Sequence, residues 1–168
     1  FEGLINNWTT TYLIERADAG QQAALMGLSA YVAGMTVMRL LIGSVLRNMS
    51  ERSLLYMSFA ITLAALLLFG LSRSVVPAAT GLFILGAGLA AGFPTMLGLV
   101  GNRYPNLSGT AFSFVLVIAL LGNMLVNYTM GLVAETRGIE NLVIFTFAEL
   151  IILAVIATTI FGRLKNNK

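Results

Sequence analysis

The chain has 168 residues, 58% of them apolar and only 10% charged, with a net charge of +3. A soluble domain carries about 25% charged residues, and a core of this size cannot hide so much apolar surface from water, so the fold class is an all-α membrane protein. The chain has neither cysteine nor histidine, which excludes disulfides, thiolate metal sites, Cys–His catalysis and histidine-ligated haem, and the scattered basic residues form no nucleic-acid stripe.

A bilayer-spanning helix needs about 17–25 apolar residues. The chain reads as one transmembrane domain, 1–168, with helices at about 1–14, 23–46, 54–71, 77–101, 108–133 and 141–161. The first run starts at Phe1, already inside an apolar segment, and is expected to be a truncated helix with an N-terminal part upstream. It carries Glu2, roughly 20 Å below the polar stretch from Glu15 to Gln22 at ~1.5 Å per residue, close to the midplane. An ionisable group at that depth is a functional-site hypothesis by default. Glu2, Asn6 and Thr9 or Thr10 share a face at i, i+4, i+7/8 spacing, with Trp8 and Tyr12 on an adjacent face. A carboxylate among amides, hydroxyls and aromatics suits a polar cavity, as an acceptor for a hydroxylated ligand or the seat of a coupling proton. A helix–helix hydrogen-bond cluster is the plainer alternative.

The second run ends at Arg47, with Arg39 two turns inside it. Arg39 is within reach of the headgroups or of a carboxylate, so its expected role is an anchor or a gating latch. The third run, ended by Ser72-Arg73-Ser74, carries no charge. The fourth opens near Pro77, which suits a first helical turn. It contains Gly81, Gly86, Gly88 and Gly92, followed by Phe93-Pro94-Thr95. Gly88 and Gly92 form a small-xxx-small pair that permits close backbone approach. Pro94 deprives the Ala90 carbonyl of its helical donor, which predicts a kink. Gly- and Pro-interrupted helices are where transporters place a site-lining segment.

The fifth run carries Asn123 and Asn127 at i, i+4, two amides that must find partners inside a membrane, either in a neighbouring helix or in a ligand. The sixth has Glu149 near its middle. A buried structural hydrogen bond is its expected role, a second coupling site the alternative.

Short connections make consecutive helices antiparallel neighbours. On one side lie Arg47, Arg52, Arg103, Arg163, Lys165 and Lys168 with Glu51. On the other lie Arg16, Arg73 and Arg137 with Glu15, Asp18, Glu135 and Glu140. The positive-inside rule makes the first side cytoplasmic, with the C-terminus inside, and a cell inner (plasma) membrane is the expected location. No soluble-enzyme signature emerges: Gly86-x-Gly88-x-x-x-Gly92 lacks dinucleotide-fingerprint spacing and a preceding strand. No enzyme activity, metal or cofactor is expected.

The stretch Gly34-Met-Thr-Val-Met-Arg39-Leu-Leu-Ile-Gly43-Ser-Val-Leu-Arg47, followed by Glu51-Arg52, is similar to the eighth helix and the degenerate loop motif of major facilitator superfamily transporters. Glu2, Trp8 and Tyr12-Leu13 resemble the seventh helix of the fucose–galactose–proton symporter group, and Gly86-x-Gly88 with Gly92-Phe93-Pro94-Thr95 resembles its tenth. Met38 stands where that family often has glycine. The resemblance implies the C-terminal six-helix half of the fold, two inverted three-helix repeats, facing an N-terminal six-helix half. By the resemblance Glu2 and Trp8 border the central cavity with Asn123 and Asn127 nearby, and on the reading of the residues Asn6 and Tyr12 join them as a substrate and coupling surface, while Arg39, Gly43, Arg47, Gly88, Gly92, Pro94 and Glu149 are expected to have structural or gating roles. The implied function is secondary active transport of a small polar solute, a sugar, with H⁺. Efflux of drugs or metabolites on the same fold is an alternative, for which Met26, Met35, Met38, Met96 and Met124 would suit. A non-transporting membrane assembly subunit is another.

Overall fold

Each long apolar run becomes a helix because a bilayer leaves backbone groups no partner but their own chain. The structure, a computed structural model, describes residues 1–72 and 74–166. Arg73 and Lys168, both used in the charge count, lie outside the described residues, as does the side chain of Lys165. No strand occurs among the described residues. These residues form seven α-helices in order: α1 (Glu2–Arg16), α2 (Gln21–Ser44), α3 (Glu51–Leu71), α4 (Val75–Leu89), α5 (Gly92–Arg103), α6 (Ser108–Arg137) and α7 (Leu142–Asn166). Among the described residues, five segments are long and apolar enough to cross a membrane: α2, α3, α4 with α5, α6, and α7. The protein is therefore a helical membrane protein.

Several helices outrun the apolar runs that announce them. α6 continues to Arg137 and α7 to Asn166, since a helix needs hydrophobic residues only where lipid surrounds it. α2 stops earlier, at Ser44 after Gly43. Ser50 caps α3, its hydroxyl accepting from the Ser53 amide at 3.2 Å. Gly138, at φ +88°, turns the chain out of α6.

The expected fourth span is two helices. α4 ends at Leu89 and α5 begins at Gly92, with Ala90 and Ala91 in the break. Pro94 accounts for its place: with no N–H on Pro94, the Ala90 carbonyl has no α-helical donor. Thr95 resumes the ladder, its amide donating to the Ala91 carbonyl at 3.0 Å.

α4 packs between α2 and α3, and glycines set how closely. A Cβ on Gly86 would overlap the carbonyl of Tyr31, and one on Gly34 would overlap the carbonyl of Phe83. On the other side a Cβ on Gly88 would sit 2.8 Å from the Thr62 backbone nitrogen. Gly92, the expected partner of Gly88, meets nothing within 4 Å, so close approach falls at Gly81 and Gly88 against α3 and at Gly86 against α2 instead. α1 leans on α2 and α6, while α7 packs on α3. The core holds Leu4, Leu13, Tyr31, Leu66, Phe69, Leu82 and Leu85.

Leu55, Ala157 and Phe161 cluster with Met96 and Leu99, and Asn102 Nδ2 lies 3.4 Å from Glu51 Oε1. The start of α3 and the ends of α5 and α7 thus share one end of the bundle. Arg52, Arg103 and Arg163 lie on those stretches.

Candidate functional site

A cavity of about 670 Å³ opens between α1, α3, the α4–α5 break, α6 and α7. Its polar wall residues are Glu2, Ser58, Thr62, Asn123 and Glu149. Apolar wall comes from residues such as Phe59, Phe93, Met96, Leu116 and Leu153. Gly88 and Gly92 lie on the wall where α4 gives way to α5. Cavities of about 300–1,000 Å³, largely apolar with a few polar groups, are the usual shape of small-molecule sites.

Glu2 faces a cation. Arg39 Nη2 lies 3.4 Å from Glu2 Oε1 and 3.3 Å from Oε2. One nitrogen serves both oxygens, so this is a lateral contact rather than the forked pairing a guanidinium can make. Thirty-seven residues separate the partners; the closeness of α1 and α2 brings them together.

Asn123 and Asn127 hold α1 against α6. Asn127 Oδ1 accepts from Asn7 Nδ2 at 2.9 Å and from Trp8 Nε1 at 3.1 Å. Asn127 Nδ2 donates to the Asn123 carbonyl at 2.8 Å and to Asn123 Oδ1 at 3.0 Å. Asn127 is thus engaged by protein on both sides of its amide, and it does not line the cavity. Asn123 does, and its side chain fills the space that a Cβ on Gly3 would need. The Trp8 ring covers Gly131, about 3.7 Å from where a Cβ there would be.

The expected substrate surface is therefore divided. Glu2 and Asn123 stand on the cavity. Trp8 and Asn127 belong to the α1–α6 hydrogen-bond network, in which Asn7 takes part and Asn6 does not; Asn6 is exposed. Tyr12 is buried against Phe69, ring centroids 4.8 Å apart, because its face of α1 turns toward α3. Gly43 and Arg47 lie at the exposed end of α2, and Pro94 follows the break. Glu149 is on the cavity wall.

Sequence reasoning missed Ser58 and Thr62. Their signal is a pair of hydroxyls at i, i+4 in an otherwise apolar helix. It missed Asn7 because Asn6 and Asn7 are adjacent, and the choice between them depends on where α6 lies.

Asn127→Leu should destabilise the protein by ~1–3 kcal/mol, since it strands the Asn7 amide and the Trp8 indole N–H without an acceptor. Unfolding of purified protein in detergent measures this, and a midpoint equal to wild type would remove the network from the α1–α6 contact.

No family model matches the chain, and neither characterised proteins nor solved structures yield a match.

Proposed function

We propose that this chain forms one wall of a secondary active transporter that moves a small polar solute by proton-coupled alternating access. The observation that carries the reading is the meeting of a carboxylate-bearing helix, α1, with a glycine-rich broken helix, α4–α5, on one cavity. Intramembrane carboxylates are costly to insert and are retained for pathways and relays. Interrupted helices supply the backbone from which transporters build midplane sites. The resemblance in α1, α2 and α4–α5 assigns the partner wall to a second six-helix half. It also assigns the solute class to sugars and the C-terminus to the cytoplasmic side of an inner membrane.

A second reading, export of an amphipathic metabolite or drug, is favoured by the apolar share of the wall, including Phe59, Phe93 and Met96. Uptake against export of labelled fucose or galactose by the intact protein in proteoliposomes, under an imposed proton gradient, separates the two. Glu2→Gln should lower proton-driven transport on the order of tenfold or more, as expected for a group whose charge is used in the cycle. Transport at the wild-type rate in that variant would take Glu2 out of the site. Absence of transport for every solute tested would favour an assembly subunit.

A further inference from the structure

Where α3 begins and α5 finishes, the two helices carry the same pattern. On α3, Arg52, Leu55 and Phe59 stand at i, i+3, i+7. On α5, Met96, Leu99 and Arg103 have that spacing too. It puts each set on one face of its helix. The faces meet: Leu55 clusters with Phe59, Met96 and Leu99, joined by Ala157 and Phe161 of α7. The helices run in opposite directions, so both stripes end in arginine at the same end of the bundle. Asn102 Nδ2 lies 3.4 Å from Glu51 Oε1, which brings together the residues immediately before the two arginines.

Both arginines are exposed. Among the described residues neither takes part in an ion pair. Arg163, near the end of α7, adds a third cation, and Glu51 is the only acid on these three stretches. The Arg52 guanidinium stands 5.5 Å from the centre of the Tyr56 ring, within cation–π range, a contact that uses none of its N–H donors. Beneath the arginines the surface is apolar. Leu55, Phe59, Met96 and Ala157 belong both to the cluster and to the cavity wall.

We propose that this end of the bundle binds an anionic phospholipid. Arg52 and Arg103 take its phosphate, and an acyl chain lies along the seam of α3, α5 and α7. Guanidinium donors match phosphate oxygens in pairs. Basic residues between helix ends, at the level of the headgroups, are sites for anionic lipid. A soluble phosphate would meet the cations and leave the apolar seam unused. A zwitterionic headgroup would bring a cation of its own against the arginines. Nucleic acid would need a longer basic stripe than three residues. The site stands whether or not the chain transports a solute.

Native mass spectrometry tests this on the intact protein, released from micelles doped with equal amounts of dioleoyl phosphatidylglycerol and dioleoyl phosphatidylcholine. Wild type should retain the phosphatidylglycerol and little of the phosphatidylcholine. Arg52→Gln with Arg103→Gln should weaken that retention on the order of tenfold or more. Arg52→Lys with Arg103→Lys, which keeps both charges, should fall between the two. Arg16→Gln with Arg137→Gln removes as much charge at the opposite end of the bundle and should match wild type. Equal retention of the two lipids by wild-type protein would overturn the inference. So would undiminished phosphatidylglycerol in the Arg52 and Arg103 glutamine pair, or an equal loss in the Arg16 and Arg137 pair. Displacement of the lipid by glycerol phosphate at comparable concentration would assign the arginines to a soluble phosphate and overturn the lipid site.

Discussion

Gly86→Ala should lower the unfolding midpoint of the protein in detergent sharply, by the equivalent of ~2 kcal/mol or more. The added methyl group would overlap the main-chain carbonyl of Tyr31, and a carbonyl held in a helix cannot step aside as a side chain can. α2 and α4 must then separate, which forfeits packing along their whole contact. Overpacking of this kind costs about 1–3 kcal/mol, occasionally more. Alanine's better helix propensity returns only about 0.8–1 kcal/mol. Gly34→Ala meets the Phe83 carbonyl in the same way and should behave alike. Gly98→Ala is the control: nothing lies within 4 Å of its Cβ position, so its midpoint should equal or slightly exceed that of wild type. An unchanged midpoint in both Gly86→Ala and Gly34→Ala would mean that α2 and α4 do not approach this closely.

Arg39→Met should destabilise the protein by ~1–3 kcal/mol, and adding Glu2→Gln should recover most of the loss. Removing one member of an ion pair at low dielectric strands the other, whereas removing both leaves two uncharged groups. A double-mutant cycle reads this as a coupling of about 1 kcal/mol or more between the two positions. Additive effects would show that the 3.3 Å contact contributes nothing to stability.

Spans could be read from the sequence because lipid imposes a length and a composition on any helix that crosses it. The break before Pro94 could be read because proline's missing N–H acts within its own turn. The faces could not. In a soluble helix the polar side marks water and the apolar side marks the core. In a bilayer both surroundings are apolar, so periodicity loses its direction. Tyr12 was thus expected beside Trp8 on the cavity, yet it packs on Phe69. Gly92 was expected to pair with Gly88, yet the close approach to α2 runs through Gly86. Glu149 looked isolated because nothing within a few residues could pair with it, and the cavity it lines is assembled from five other helices. The Glu2–Arg39 contact is likewise a product of tertiary structure. Both residues stood out as intramembrane charges, but nothing in their spacing joins them.

The break at Ala90 and Ala91 has a mechanical consequence. Above it, α4 is wedged between two neighbours, backbone against backbone. Below it, α5 buries only Thr95, while its Gly92, Phe93 and Met96 lie on the cavity. The span is therefore a clamped beam joined to a lever rather than a single rod. Torque applied to α5 would be taken up first at this two-residue joint, where the Ala90 carbonyl lacks its helical donor, before it reached the clamp.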